Sequence, residues 1–317
     1  MTTQPERRML LDTAGLYFRA FHAVPDTVHG PNGTPVNAVR GLLDMIARLV
    51  SEFQPSEIVA CWDDDWRPQW RVDLIPTYKS HRVAASQPEG AGNPIEEVAD
   101  LLTAQVPVIR EVLGALGIPV IGAPQHEADD VIGTLASHSP ISVDVVTGDR
   151  DLFQLIDDSR DVRVVYTGRG MARLEMLTDA ALEAKYGVTP MQYADFAALR
   201  GDASDGLPGV PGVGEKTATT LLSTYGDLPG VVAAAADSGS AMAASVRTKI
   251  LAAADYLAVA PAVVNVVRDL ELPGFDARIR VSTSEQSAHL DHLSAVWGLG
   301  TSMERARRAL DAVQIRP

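Results

Sequence analysis

Apolar residues in this chain come first as short continuous runs and later as helical stripes. Three runs, at 8–12, 57–63 and 142–149, each finish on an acid: Asp12, Asp63 and Asp149. Their brevity and their apolar, β-branched content predict buried strands. A fourth run at 118–121 precedes a Gly-Ala-Pro-Gln loop, and helical periodicity at 36–53, 95–116 and 127–136 separates the strands. Strands alternating with helices predict an α/β fold with a mainly parallel central sheet flanked by helices. In such sheets ligands bind outside the carboxyl ends of the strands, so the three acids are expected along one edge.

From about residue 178 the strand-like runs stop. Helical patterns at 179–186, 190–199, 216–225, 240–258, 285–296 and 303–313 take over. Two parts are expected: an α/β core over 1–177, with a loop region near 66–95, and a helical part over 178–317. The segment at 84–94, AASQPEGAGNP, reads as an exposed, mobile loop because it is dense in turn residues.

Composition narrows the class. With 46% hydrophobic and 21% charged residues, the 317-residue chain can bury a substantial core and is neither disordered nor collagen-like. The single cysteine, Cys61, excludes an internal disulfide, and no Cys/His cluster could cage a structural zinc. The N-terminal apolar run is too brief for a signal peptide, and nothing approaches the roughly 18 apolar residues of a membrane span. A soluble, cytoplasmic protein with no membrane partner is expected. The net charge of −14, from 41 acids against 27 Lys and Arg, speaks against a nucleic-acid partner. Net charge, however, describes the whole chain and not one face. The location of the acids decides the matter.

They fall at Asp12, Asp63, Glu127-Ala-Asp129-Asp130, Asp149-Arg-Asp151, Asp202 and Asp205. Each has an ordinary structural reading. Glu127, Asp129 and Asp130 open a helix, where acids cap amides and complement the dipole. Asp149 and Asp151 lie at a strand-to-helix turn, and Asp202 and Asp205 in a Gly-Asp-Ala-Ser-Asp-Gly turn. Together these nine carboxylates are more than capping needs, and the topology predicts one shared edge. Hard Mg²⁺ or Mn²⁺ takes oxygen ligands, often a few carboxylates completed by water. Two such ions about 4 Å apart can activate a water and stabilise a leaving oxygen.

The stretches LLDTAGLYFRAFHA, the Cys-Trp-Asp at Asp63, YKSHR, HEADDVIGTLA, VTGDRDLFQL and RGDASDGLPGVPGVGEKTATTLL resemble the bacterial 5′-nuclease family. That family comprises the 5′→3′ exonuclease domain of DNA polymerase I and the related flap endonucleases. The resemblance runs in family order over nearly the whole chain. It implies that Asp12, Asp63, Glu127 and Asp129, with Asp130 adjacent, form a first metal site. Asp149, Asp151, Asp202 and Asp205 would form a second, with Asp130 and waters bridging. Two departures stand out: Gly206 where the family often has Asn, and Arg150 where Lys is commoner.

Two further motifs bear on nucleic acid. In Leu207-Pro-Gly-Val-Pro-Gly-Val-Gly-Glu-Lys-Thr, glycines permit close backbone approach, and Gly214 lies just before a helix whose amides can meet a phosphate. This resembles a helix–hairpin–helix clamp, with Gly209, Gly212, Gly214, Lys216 and Thr217 as DNA contacts and a monovalent cation as an additional occupant. Such a clamp reads backbone and not bases. In Tyr78-Lys-Ser-His-Arg82, Lys79 and Arg82 are spaced to share one helix face. The resemblance puts this stretch at the base of an arch for a single-stranded 5′ end, with Lys79 and Arg82 catalytic on the scissile phosphate. Tyr17, Arg71 and Tyr78 complete the expected DNA contacts. His22 reads as a structural histidine.

The resemblance implies a divalent-metal-dependent 5′→3′ exonuclease and 5′-flap endonuclease. It would act by a two-metal mechanism, in repair and replication, on flaps, nicks, gaps and free 5′ ends, as a monomer. A non-catalytic junction-binding protein and a PIN-type ribonuclease are the alternatives.

Overall fold

The computed structural model describes residues 6–85, 96 and 99–314. Strands β1 (Arg7–Asp12), β2 (Glu57–Cys61), β3 (Val120–Ile121), β4 (Ser142–Thr147), β5 (Val162–Tyr166) and β6 (Glu175–Leu177) form one sheet. Its order is β3-β2-β1-β4-β5-β6, parallel except where β6 runs antiparallel to β5. The chain winds outward from β1 to β3 and then restarts on the other side with β4. The carboxyl ends of β1 and β4 therefore flank the crevice where ligands bind in open α/β sheets.

The helices of the first half are α1 (Thr13–Ala23), α2 (Asn37–Phe53), α3 (Gln69–Leu74), α4 (Asp100–Thr103), α5 (Val106–Ala115) and α6 (Ala128–Ser137). Those of the second are α7 (Asp179–Tyr186), α8 (Pro190–Arg200), α9 (Glu215–Tyr225), α10 (Leu228–Ala236), α11 (Ala244–Ala252), α12 (Ala254–Val264), α13 (Ser284–Trp297) and α14 (Gly300–Gln314).

Helices cover both faces of the sheet, which is why its strands read as continuous apolar runs. The two-residue strand period divides each run between two cores. Leu10, Val59, Cys61, Val143 and Val145 face one core with α6, α8, α9 and α12. Met9, Leu11, Ile58, Ala60 and Val146 face the other with α1, α2 and α5. In the second core α1 and α2 pack closely at Gly41, where a Cβ would lie 2.8 Å from that of Ala20.

The helical second half does not stay on one side. After α12 an extended strap follows α6, where the Val267 amide bonds Asp130. It then reaches β2: the Ile58 amide donates to Ala277 (2.9 Å) and the Ile279 amide to Ser56 (3.0 Å). Helices α13 and α14 return to the first half, with Leu290, Leu293, Met303, Ala306 and Leu310 in the core that holds α2. Arg305 Nε donates to Asp44 on α2 at 2.9 Å.

Several expected bounds move. The strands expected through Asp63 and Asp149 end at Cys61 and Thr147, leaving both acids just beyond the sheet. The pattern leaves β5, β6 and α10 unread. The single helix expected over 95–116 is α4 and α5, broken at Gln105. That buried side chain accepts the Ala38 amide (2.9 Å) and donates to Asn37 (2.9 Å), capping the start of α2. The helix expected over 240–258 divides at Ala253 into α11 and α12. Most of the loop expected at 84–94, and the start of the helix expected at 95, lie outside the described residues.

Candidate active site

Asp12 ends β1 and caps α1. Its Oδ1 accepts the Gly15 amide (3.1 Å), and its Oδ2 accepts the Thr147 hydroxyl from the end of β4 (2.8 Å). The same hydroxyl accepts the Asp149 amide at 2.8 Å, so one side chain ties the two central strand ends to both acids. Asp63 crosses from β2 to the start of α6, its Oδ1 accepting the Ala128 amide at 2.7 Å. Asp149 Oδ1 accepts the amide of Asp151 (2.9 Å).

These acids meet in one cleft of about 510 Å³, lined by Asp12, Asp63, Glu127, Asp129 and Asp149. Lys79, Arg82 and Glu96 line it as well, as do the aromatic rings of Tyr17, Phe18, Trp62 and Trp66. Tyr17 and Phe18 stack with centroids 5.2 Å apart, and Tyr17 lies 5.8 Å from Trp62. The cleft thus joins a carboxylate wall, two cations and an aromatic shelf.

Burial and crowding disfavour the charged form of several of these carboxylates. Burial pushes the Asp12 carboxyl up, against the opposing pull of its bonds to Thr147 and Gly15. Burial holds Asp63 up at about 7. Burial, then the charges of Asp149 and Asp12, push Asp129 well up. Asp151 rises well above the carboxylate range through burial and then the charges of Asp149, Asp205 and Asp202. Burial, with Asp149 and Asp202 adding to it, also raises Asp205. Asp151, Asp202 and Asp205 therefore form a second acidic group in the field of Asp149. Burial alone would lower the Lys79 ammonium, but Glu127 foremost, then Tyr78 and Asp205, hold it well above its ordinary value.

All these donors are carboxylate oxygens, the set that suits a hard divalent ion. Among the described residues no three His, Cys, Asp or Glu side chains converge as a preformed metal cage. The acids line an open cleft instead, an arrangement that fits ions completed by water and substrate oxygens.

Three sequence expectations need correction. Asp130 is fully buried and turned away from the cleft, its oxygens taken by Arg71 (2.7 and 2.9 Å), the Val267 amide (2.8 Å) and the Glu127 amide (3.3 Å). Its helix-capping role wins because it stands third in α6, on the side facing Arg71 and the strap. Arg71 is not an exposed DNA contact. It is buried between Asp130 and Glu127 (2.5 Å) and bonds the Val263 carbonyl (3.2 Å). Tyr78 is likewise buried, donating its hydroxyl to Glu127 at 2.6 Å. Together they fix Glu127, whose other oxygen pairs with Lys79.

Lys79 and Arg82 do share the cleft, though not as a regular helix pair. Lys79 is left-handed (φ +46°) and precedes a short 3₁₀ turn, Ser80–Arg82. Arg82 bonds Asp205 at 3.1 Å, while Asp202 pairs with Arg200 at 3.1 Å. Sequence reasoning missed Glu96 and Thr147. Thr147 read as a strand residue, and nothing in the residues around Glu96 marked it.

On the other side of the acidic turn lies the glycine hairpin. Gly209 and Gly212 take positive φ (+65° and +76°), and Gly214 caps α9 with nothing within 4 Å of where a Cβ would be. That open approach leads to the α9 amides. Lys216 is exposed beside it and Thr217 is half-buried. Lys249 reaches in from α11 and donates to the Gly212 carbonyl at 2.9 Å.

A switch-point cleft of carboxylates beside a glycine hairpin defines a phosphate-handling α/β protein of the metal-nuclease type. Comparison with known proteins is specific. The 5′-3′ exonuclease N-terminal resolvase-like domain matches residues 7–187, and the 5′-3′ exonuclease C-terminal SAM fold matches 188–287. The chain belongs to the 5′-3′ exonuclease family. It is 54% identical to a 5′-3′ exonuclease of Streptomyces coelicolor over 96% of this chain and 100% of that one. It is 46% identical to a 5′-3′ exonuclease of Mycobacterium tuberculosis over 96% and 98%. Among solved structures, T5 5′-exonuclease with bound zinc shares the fold (TM-score 0.62, 15% identity, 96% and 98% coverage).

Proposed function

We propose that the chain hydrolyses DNA phosphodiester bonds near 5′ ends, as a divalent-metal-dependent 5′→3′ exonuclease and 5′-flap endonuclease. One observation carries this reading: Lys79 and Arg82 line the same cleft as Asp12, Asp63, Glu127, Asp129 and Asp149. The family membership and the names of its relatives support it. Asp12, Asp63, Glu127, Asp129 and Asp149 would hold a metal ion there, and Asp151, Asp202 and Asp205 would complete a second site beside Asp149. Bound Mg²⁺ or Mn²⁺ would supply an activated water and neutralise charge on the departing oxygen.

The chain's own residues set the geometry. Lys79 and Arg82 face the scissile phosphate and stabilise the charge that develops in the transition state. Lys79 is shared with Glu127 until substrate arrives. The shelf of Tyr17, Phe18, Trp62 and Trp66 offers flat surfaces for an unpaired base, as aromatic platforms do for single strands. Gly209, Gly212, Gly214, Lys216 and Thr217 grip duplex backbone, without regard to sequence. The hairpin carbonyls are the place for a monovalent cation, with the Gly212 carbonyl already occupied by Lys249.

The chain is read as an α/β nuclease core over 1–177 and a helical DNA-binding part over 178–317, whose α13 and α14 pack back on the core. No helix among the described residues is long and apolar enough to cross a membrane. A cytoplasmic monomer acting in repair and replication fits this reading.

The test is cleavage of 5′-flap, nicked, gapped and fully single-stranded oligonucleotides, DNA and RNA, with Mg²⁺, Mn²⁺ or EDTA. Metal-dependent release of products from 5′ ends supports the proposal. Binding without cleavage points to a junction-binding protein, and preferential RNA cleavage to a ribonuclease.

A further inference from the structure

The segment that carries Lys79 and Arg82 is fastened to the turn that carries Asp202 and Asp205. Thr77 Oγ1 donates to the Gly206 carbonyl at 2.7 Å. The Lys79 amide donates to the Asp205 carbonyl at 2.9 Å. Arg82 Nη2 donates to the Ser204 carbonyl at 2.9 Å and to Asp205 Oδ1 at 3.1 Å. Three consecutive residues of the turn thus hold three positions of the cationic segment, across more than a hundred residues of sequence.

Gly206 makes this approach possible. It takes φ +70°, and a Cβ there would stand 2.0 Å from the Thr77 carbonyl oxygen and 3.2 Å from the Lys79 nitrogen. The buried Arg67 also holds the Tyr78 carbonyl (2.6 Å) and the Pro76 carbonyl (3.1 Å). The backbone of 76–79 is therefore held by two separate segments, which lets Lys79 keep a left-handed conformation that non-glycine residues seldom adopt.

We infer that Thr77 and Gly206 are positioning residues: they lock the backbone at Lys79 so that its ammonium is set against the carboxylate wall before substrate binds. The inference rests on the nuclease reading. Thr77 need not touch DNA or metal in this scheme. It acts through Lys79.

The experiment uses the full chain and variants Thr77→Val, Thr77→Ser, Gly206→Ala and Lys79→Ala, with Thr77→Val also made in the Lys79→Ala background. Single-turnover cleavage of a 5′-flap oligonucleotide in Mg²⁺ is read beside its Kd in Ca²⁺ and the thermal midpoint. A misplaced group can cost up to about a hundredfold in rate, so Thr77→Val and Gly206→Ala are expected to slow the chemical step roughly ten- to hundredfold with Kd unchanged. Thr77→Ser should restore the rate, since it keeps the hydroxyl. In the Lys79→Ala background Thr77→Val should slow nothing further, because coupled residues are not additive.

Wild-type rate in Thr77→Val overturns the latch, as does a slowing that adds fully to that of Lys79→Ala. A rate loss that tracks only a lower thermal midpoint, without rescue by serine, also overturns it. A wild-type chain inert on every DNA tested fails the nuclease reading and the latch together, whereas an active chain indifferent to Thr77→Val fails the latch alone.

Discussion

The hydroxyl of Thr147 donates a 2.8 Å hydrogen bond to Oδ2 of Asp12, joining the carboxyl ends of β4 and β1. It does so while accepting the Asp149 amide, so the acids of two strands share one small anchor. The bond crosses the point where the strand order reverses, on an acid that lines the cleft.

Thr147→Val keeps the β-branched shape and removes the anchor. Residues that orient metal ligands typically contribute about ten- to a hundredfold in affinity or activity, and a loss of that size in cleavage is expected. Thr147→Ser should recover most of it. Full activity in Thr147→Val, measured against Mg²⁺ concentration, would show that Asp12 needs no orienting partner.

Asp149→Ala and Asp151→Ala remove acids from the shared edge of the two groups. Turnover should fall on the order of a hundredfold or more, while Kd for flap DNA in Ca²⁺ stays near wild type because the glycine hairpin is untouched. Near-normal cleavage by Asp149→Ala at saturating Mg²⁺ would remove it from the catalytic set.

Arg71→Ala leaves Asp130 buried without its cation and takes one of two cations from Glu127, which keeps Lys79. Removing one partner of a buried ion pair costs about 3–5 kcal/mol, so a marked drop in stability is expected by chemical denaturation. Lys216→Ala, on exposed surface, should leave stability alone and flatten the salt dependence of DNA binding by about one phosphate contact. The opposite pattern, with Arg71→Ala stable and only DNA binding impaired, would return Arg71 to the DNA-contacting surface.

Asp63 predicts a pH dependence. Burial raises its carboxyl from an ordinary 3.8 to about 7, so between those values the folded chain holds a proton that the unfolded chain has released. Stability linked to that proton is present below the unfolded value and is lost as pH rises through the folded one. In EDTA the thermal midpoint should be lower at about pH 8 than at about pH 5, and Mg²⁺ should raise it more at the higher pH because binding competes with protons. A midpoint at the higher pH that ignores Mg²⁺ would count against the acids as an ion site.

The strand-end acids were legible because two periodicities and the chain's motifs agree on them. Their convergence needs only the rule that parallel strands present carboxyl ends together. Asp130 was not legible in the same way. A motif records that an acid stands third in a helix, but which neighbour it faces depends on Arg71, which lies 59 residues away. Tyr78 carried the same ambiguity, since an aromatic beside a lysine reads equally as a base contact or as a buried donor to Glu127. Thr147 was invisible because a threonine in an apolar strand satisfies β propensity without needing its hydroxyl. Strand β6, three residues long, lacks the length to establish a period, and it pairs with β5 through a turn the pattern does not mark.

The return of α14 onto α2 has a consequence for biosynthesis. Arg305 and Asp44 are 261 residues apart in the chain, yet they close one face of the N-terminal core. While the chain is being made, α1 and the strands can cover one part of α2, but the part that α14 covers waits until residues 284–314 leave the ribosome. Contacts so distant in sequence form late. A half-made chain can therefore have its acidic cleft assembled while its core is still open, so the nascent protein depends on the last helix to complete its folding.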